Sequence, residues 1–375
     1  MLYTVKSGDS LYSIAQSFGV TPTAISSANH LWDDSKLPIG MNLIIPTGGT
    51  PERRIVVNGY AFPTISDTAL MGALPYLTYL SVFTARTQSD GSIVPMNDDA
   101  IIRRAYVNGV APLMTLTNQR DSGEFSSEIA HAILADPAVG NTLIQNIAVM
   151  LDRRNYFGIN LDFEYILPED RDLYTDFVRR LRDRLKQQGY LLAVAVAPKT
   201  SDAQQGLLYT AHDYAALGEI VDYCIIMTYE WGYTYGEPMA VSPLDKVEEV
   251  IAYAVSVMPP EKILMGLPNY GYNWQLPFSR SNPARTISLS EAPRIAYDQL
   301  ADIRFDQASQ SPYFRYYHST GREHVTWFDD PRSIYAKLEL VEKYGLGGGS
   351  VWNINRLYRA MWLTMGELFG VKKAF

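Results

Sequence analysis

From residue 53 onward, short apolar runs alternate with longer stretches in which apolar residues recur every three to four positions. Such runs are typical of buried strands, and the longer stretches are typical of amphipathic helices. The predicted strands are 55–59, 77–83, 112–117, 158–163, 191–197, 222–228, 263–267 and 348–352, and the predicted helices include 141–154, 171–188, 245–258 and 333–344. Because near-continuous apolar strands suit a sheet covered on both faces, this order predicts an α/β fold, a (β/α)8 TIM barrel.

The segment between the seventh and eighth predicted strands, about 269–327, is too long for one helical crossover. It is rich in Tyr, Phe, Arg, Asn and Pro. We therefore expect a small α+β insertion after strand seven, which would deepen a groove at the C-terminal face of the barrel.

The first 46 residues follow a different pattern. It predicts a strand, two helices and a strand, at 3–6, 10–18, 21–29 and 42–45, with Pro22 in the first turn of the second helix. We expect a small βααβ domain at 1–47, a linker at 48–52 and the barrel domain at 53–375. The linker is so short that the two domains must lie close together.

The fourth predicted strand carries the candidate chemistry. Asn160, Asp162 and Glu164 are spaced by two, so on a strand their side chains share one face, with apolar residues between them on the other. In a barrel the polar set faces the lumen, and Glu164 lies nearest the C-terminal rim where barrel enzymes do chemistry. Two carboxylates on one desolvated face repel, so one keeps its proton at higher pH and can act as a general acid. The alternative interpretation is a pair of salt bridges to inward-facing arginines.

The N-terminal segments 3–15 (YTVKSGDSLYSIA) and 37–46 (LPIGMNLIIP), with Asn29 between them, resemble the LysM module over its whole length. That family binds glycans that contain N-acetylglucosamine, such as peptidoglycan and chitin. The resemblance places a glycan groove between two loops, at Gly8, Asp9, Ser10 and Leu11 on one side and His30 and Leu31 on the other. The alternative is that these residues are ordinary turn and capping residues.

Residues from about 53 to 370 resemble the family 18 glycoside hydrolases, which include chitinases and bacterial N-acetylglucosaminidases. Gly158, Asp162 and Glu164 match the family pattern Asp-Gly-x-Asp-x-Asp-x-Glu on strand four, whereas Phe157 and Asn160 replace its first two acidic residues. Further matches end the later strands, at 227–230 (MTYE), 265–271 (MGLPNYG) and 349–352 (GSVW). Family members usually carry Asp at the position of Glu230.

The resemblance implies a retaining, substrate-assisted mechanism with no enzyme nucleophile. Glu164 would protonate the glycosidic oxygen, Asp162 would orient the substrate's 2-acetamido group, and Tyr229 would hold the acetamido oxygen. Trp352 would form the apolar floor under the sugar, because an aromatic face packs well on a pyranose. The substrate-binding set is completed by Asn160, Glu230, Asn269 and Tyr270. Because an amide cannot titrate, Asn160 leads us to expect that Asp162 stays ionised through the cycle.

A LysM module joined to a barrel with Asn-x-Asp-x-Glu resembles the N-acetylglucosaminidases that degrade spore-cortex peptidoglycan. We expect cleavage of β-1,4 bonds after N-acetylglucosamine in cortex or its fragments, by a protein of the spore coat, cortex or cell wall. The alternatives are a chitinase or chitooligosaccharide hydrolase, and a catalytically inactive glycan-binding lectin.

Composition narrows the range of partners. A net charge of −8 and a pI near 5.2 argue against nucleic acid as the main partner. The five histidines are scattered without metal-ligand spacing, and Cys224 has no second cysteine to pair with, so we expect no metal, no cofactor and no intrachain disulfide. We see neither a signal peptide nor an apolar run long enough to span a membrane, and we expect a monomer.

Overall fold

The computed structural model describes residues 1–49 and 51–375. The predicted apolar runs form a closed barrel of eight parallel strands: Arg54–Ala61, Tyr79–Thr87, Ala111–Thr117, Gly158–Asp162, Leu191–Val196, Tyr223–Ile226, Ile263–Pro268 and Gly348–Trp352. Closure is visible in the first strand, where Asn58 pairs with both Tyr79 of the second strand and Ser350 of the eighth. The TIM barrel prediction is confirmed.

Helices cover the outside of the barrel: Asp67–Ala73, Asp99–Val107, Ser127–Ala135, Pro137–Arg154, Arg171–Lys186, Tyr214–Ile220, Leu244–Val257, Pro331–Lys343 and Arg359–Leu368. The apolar face of strand four packs against them. The ring of Phe163 stacks on those of Tyr174 and Phe177 at 6.3 Å between centroids. This leaves Asn160 and Asp162 on the lumen side, as the alternation predicted.

The insertion after strand seven is an antiparallel sheet with one helix. Its strands are Gly271–Gln275, Arg285–Ile287, Arg304–Asp306, Ser311–Tyr317 and Glu323–Trp327, and its helix is Glu291–Asp298. The sheet begins three residues after barrel strand seven ends, so it rises directly from the C-terminal rim and forms one wall there. The predicted α+β insertion is confirmed.

The N-terminal domain has strands Leu2–Thr4 and Asn42–Ile44, paired antiparallel, and helices Leu11–Phe18 and Pro22–Asn29. The side chains of Ser10 and Thr21 accept backbone N–H groups and so cap the two helices. Gly19 ends the first helix in the left-handed region, which favours glycine. The predicted βααβ order is confirmed.

This small domain packs directly on the barrel and its insertion. The Ile303 N–H donates to the Ile39 carbonyl at 2.9 Å, and the Arg332 guanidinium donates to the Gly40 carbonyl at 3.1 Å. Gly40 has a φ of +84°, and a Cβ there would lie 1.8 Å from the Ile303 carbonyl oxygen. Only glycine therefore fits at this contact. The predicted linker 48–52 contains Thr50, which lies outside the described residues.

In the part of the chain that the structure describes, no helix has the length and apolar character needed to cross a membrane.

Candidate active site

A two-lobed cleft opens at the C-terminal ends of the barrel strands. The larger lobe, of about 600 Å³, receives Asp162, Glu164 and Tyr229. The smaller lobe, of about 390 Å³, is lined by Asn269 and Tyr270 together with residues of the insertion and of the loop after strand eight. Phe62, Glu230 and Trp352 line both lobes, so they form the boundary between them.

Asp162 and Glu164 differ in position and surroundings. Asp162 ends strand four and is only 4% exposed, whereas Glu164 lies two residues beyond it and is partly exposed to the cleft. Burial raises the pKa of Asp162 to about 7. Desolvation by the surrounding walls, then the charges of Asp162 and Glu230, hold the pKa of Glu164 well above its usual range. Within the described residues no hydrogen bond restrains the Glu164 carboxyl, so its proton is available to a substrate.

Asn160 does not reach the cleft. It is fully buried, and its amide donates to the Tyr60 hydroxyl oxygen at 2.7 Å. Asn160 is not among the residues that line either lobe, whereas Tyr60, to which it is bonded, lines the larger lobe. Substrate binding by Asn160 stays a prediction.

Tyr229 and Glu230 follow barrel strand six. Gly266 on the neighbouring strand leaves room for the Tyr229 ring, since a Cβ there would lie 2.8 Å from the Tyr229 Cε1. Burial, and then nearby charges, raise the pKa of Tyr229, so its hydroxyl remains a hydrogen-bond donor. The Tyr270 and Tyr272 hydroxyls both donate to the Glu230 Oε1, at 2.5 and 2.9 Å. Glu230 is thereby held in place at the boundary of the lobes.

Trp352 is held in place by edge-to-face contacts with three aromatic rings. The rings of Phe83, Tyr60 and Phe62 meet it in T-shaped contacts at 4.9, 5.2 and 6.1 Å between centroids. Edge-to-face packing on several sides fixes the indole plane. The ring therefore remains oriented in the cleft without a ligand, which is what a floor under a sugar requires.

Asn269 and Tyr270 extend strand seven into the smaller lobe. The Asn269 amide donates to the carbonyls of Asn353 and Arg356, each at 2.8 Å, and so fixes the loop after strand eight. Asn269 is 3% exposed and Tyr270 is 7% exposed. Both line the lobe, but the Asn269 side-chain NH2 group is already hydrogen-bonded to two backbone carbonyls.

Comparison with known sequences identifies the family. A sequence model described as "Glycosyl hydrolases family 18" matches residues 78–356, and one described as "LysM domain" matches residues 3–46. The chain belongs to family 18 of the glycosyl hydrolases. It is a glycosidase with an N-terminal LysM domain.

Two further comparisons extend over nearly the whole chain. The "Cortical fragment-lytic enzyme" of Bacillus subtilis (strain 168) is 40% identical over 431 aligned positions, which cover 100% of this chain and 99% of that protein. The crystal structure of the Bacillus megaterium QM B1551 spore cortex-lytic enzyme SleL matches with a TM-score of 0.94 at 33% identity, over 99% of this chain and 98% of that one. The Bacillus cereus spore cortex-lytic enzyme SleL matches with a TM-score of 0.83 at 37% identity, over 100% and 87%.

In this family 18 glycosidase the predicted LysM groove residues have clear local roles. Gly8 has a φ of +86° in a turn, and the Asp9 carboxylate accepts from the Tyr3 hydroxyl and the Lys6 N–H, each at 2.7 Å. Ser10 caps the first helix and Leu11 is buried. On the other side, His30 and Leu31 lie at the contact with the barrel domain, beside Pro293 and Ile303. Glycan binding by these loops remains a prediction.

Several cleft residues of the glycosidase escaped the sequence reasoning. They are Tyr60, Phe62, Phe83, Gln119, Phe125, Tyr209, Tyr272 and Arg356. The sequence held a partial signal for Tyr60. Asn58 and Tyr60 share a face of strand one, because they have the same spacing of two that singled out the polar residues of strand four. Phe83 lies within barrel strand two and Tyr272 within the first strand of the insertion. The others lie outside the strands, where no periodic pattern reveals the direction of a side chain.

Proposed function

We propose that this glycosidase cleaves β-1,4 bonds after N-acetylglucosamine in peptidoglycan of the spore cortex or in cortex fragments. The observation that carries the proposal is the state of Glu164, a carboxyl that reaches the cleft, makes no hydrogen bond within the described residues, and has a strongly raised pKa. Such a group keeps its proton to higher pH than an exposed carboxyl does and can pass it to a leaving oxygen. The names of the relatives favour cortex as the polymer.

The proposed reaction uses the substrate as its own nucleophile. Glu164 gives its proton to the glycosidic oxygen while the C1–O bond breaks, and the carbonyl oxygen of the 2-acetamido group bonds to C1 to form an oxazolinium ion. The ionised Glu164 then takes a proton from a water molecule, whose oxygen bonds to C1 from the face that the leaving group vacated while the bond from C1 to the acetamido oxygen breaks and the acetamido group is restored. The anomeric configuration is retained.

Asp162 and Tyr229 would stabilise that intermediate. The Asp162 carboxylate has no hydrogen-bond partner on its Oδ1 within the described residues, so it can accept the acetamido N–H. Accepting this bond would turn the acetamido oxygen toward C1 and oppose the developing positive charge. The Tyr229 hydroxyl would donate to the acetamido oxygen, and Trp352 would pack on the face of the sugar.

Charge in the smaller lobe favours peptidoglycan over chitin. Of the residues described around the two lobes, Arg356 is the one Lys or Arg. In peptidoglycan each N-acetylglucosamine is flanked by muramyl residues, whose lactyl group can carry a carboxylate, whereas chitin is uncharged. Arg356 would pair with such a group on the sugar beside the cleaved one. The LysM domain would add attachment to the insoluble wall.

Digestion of three polymers tests the proposal. Soluble cortex fragments, intact peptidoglycan and chitin are each incubated with the wild-type protein, with Glu164→Gln, and with the exposed nearby control Glu169→Gln. We expect new reducing N-acetylglucosamine ends from cortex material, lost in Glu164→Gln by a factor of about 100 or more and kept in the control. Activity on chitin alone would assign the chitinase alternative, and an active Glu164→Gln would refute the acid assignment.

A further inference from the structure

The backbone that carries Glu164 lies beyond the sheet. The last pairs of strand four join Asp162 to Thr117 on one side and Leu161 to Val194 on the other. The three following residues, Phe163, Glu164 and Tyr165, therefore have no strand partner. Their peptide groups still need hydrogen-bond partners, because a peptide group that is buried without one is costly.

Side chains from neighbouring elements supply those partners. The carbonyl of Phe163 faces the His212 Nε2 at 3.1 Å, the carbonyl of Glu164 accepts from the Asn118 Nδ2 at 2.8 Å, and the carbonyl of Tyr165 accepts from the Ser127 hydroxyl at 2.5 Å. Because the His212 Nδ1 accepts from the Ala197 N–H, its Nε2 is the protonated nitrogen and donates.

Asn118 holds both peptide groups of the candidate acid. Its Oδ1 accepts the Glu164 N–H at 3.0 Å while its Nδ2 donates to the Glu164 carbonyl, and the same Nδ2 donates to Ser126 at 3.0 Å. Asn118 is fully buried at the end of barrel strand three. Since nothing described in the structure bonds to the Glu164 carboxyl, its location depends on this backbone.

We infer that Asn118 is a positioning residue for the reaction: its carboxamide fixes the backbone of Glu164 so that an unbonded carboxyl still points at the glycosidic oxygen. The inference rests on the proposed role of Glu164 as the acid. A hydrogen bond donated to the carboxyl itself would fix it equally well, but it would also stabilise the ionised form and so favour loss of the proton. Hydrogen bonds to the Glu164 peptide groups fix the residue in place without stabilising the ionised carboxylate.

The LysM domain offers a matched control. Asn29 holds Ile44 in the same way, with its Oδ1 accepting the Ile44 N–H and its Nδ2 donating to the carbonyls of Ile44 and Ile25, each at 2.8 Å. Asn29 is 5% exposed and lies outside the cleft. Asn118→Ala and Asn29→Ala thus each remove one hydrogen bond accepted from a backbone N–H and two donated to backbone carbonyls, in both cases at a buried site.

The test measures kcat, KM and the pH profile of both variants on soluble cortex fragments, well below their unfolding temperatures. We expect Asn118→Ala to lose about 10- to 100-fold in kcat with little change in KM, because a displacement near 1 Å of a catalytic group has that effect. The alkaline limb of its profile should move to lower pH as water reaches Glu164. Asn29→Ala should lose stability alone.

A second variant covers the case in which Asn118→Ala does not fold. Asn118→Asp keeps the shape and the acceptor for the Glu164 N–H but loses the donor to the Glu164 carbonyl, so its kcat should fall between those of wild type and Asn118→Ala. Equal kcat and pH profiles for the Asn118 and Asn29 variants would overturn the inference. An active Glu164→Gln would instead refute the proposed acid, so the two failures are distinguishable.

Discussion

The side-chain amide of Asn160 donates a hydrogen bond of 2.7 Å to the hydroxyl oxygen of Tyr60, across the lumen of the barrel. Asp162, the next residue on the same face, receives no hydrogen bond from it, and the Asp162 Oδ1 has no partner within the described residues. Asn160 therefore supports an aromatic wall of the cleft through Tyr60, and in the part of the chain that the structure describes no side chain is hydrogen-bonded to Asp162 to share its proton.

This relationship predicts how Asn160→Asp changes the pH dependence. The proposed mechanism needs ionised Asp162 and protonated Glu164. Burial raises the pKa of Asp162 to about 7, so we expect kcat/KM of the wild type to fall as the pH drops through about 7. A second carboxyl two residues away can share a proton with Asp162 and should move this acid limb by about one unit or more.

The pH profiles of kcat/KM for wild type and Asn160→Asp on soluble cortex fragments provide the measurement. Two superimposable profiles would contradict the expectation that the amide keeps Asp162 from exchanging a proton with its neighbour.

Asp162→Asn should raise thermal stability while removing activity. A folded-state pKa of about 7 lies above the unfolded value, so burying the carboxylate costs stability, and this cost grows as the pH rises from about 4 to 7. An amide at this position is uncharged and does not have this cost. We therefore expect Asp162→Asn to raise the free energy of unfolding by up to about 4 kcal/mol above pH 7 and by little near pH 4.

Calorimetric melting temperatures at pH 8 and pH 4.5 check this, with the exposed Asp152→Asn as the control. An increase in melting temperature of equal size at both pH values, or no increase at pH 8, would show that the Asp162 carboxylate is not destabilised by burial.

Arg356→Gln should change substrate choice more than activity in general. If Arg356 pairs with a muramyl carboxylate, we expect kcat/KM on fragments that carry this group to fall about 10-fold, equivalent to about 1.4 kcal/mol. Chitooligosaccharides, and fragments whose muramic acid is cyclised to the lactam, lack the carboxylate and should be unaffected.

The exposed Arg103→Gln on an outer helix removes the same charge far from the cleft and serves as the control. Equal losses of Arg356→Gln on charged and uncharged substrates would contradict the pairing.

Gly40→Ala should separate the LysM domain from the barrel. Its Cβ would lie 1.8 Å from the Ile303 carbonyl oxygen, so the contact between the domains cannot form unchanged. Gly19→Ala is a matched control, because Gly19 has a similar positive φ of +66° but nothing within 4 Å of its Cβ position. Both variants carry about 1 kcal/mol of backbone strain, and only Gly40→Ala adds the clash.

Limited proteolysis around the linker, together with thermal unfolding, reports the separation. Faster cleavage and an additional early transition in Gly40→Ala, absent from Gly19→Ala, are the expected results. Equal behaviour of the two variants would mean that the contact contributes nothing to holding the domains together.

The sequence by itself determined the barrel, the βααβ order of the N-terminal domain and the face of strand four that carries Asp162. These depend on local periodicity, since a spacing of two fixes which side chains share a face of any strand. It also indicated Tyr229 and Trp352, but only through the resemblance of segments 227–230 and 349–352 to family 18 motifs.

Only the tertiary structure decided the partners of those residues. Asn160 meets Tyr60 across 100 positions of sequence, Asn118 meets Glu164 across 46, and Gly40 meets Ile303 from another domain. Such contacts depend on how the barrel closes and on the register between its strands, which no local pattern contains. The raised pKa values of Asp162 and Glu164 have the same origin, because desolvation comes from walls supplied by strands far apart in the chain.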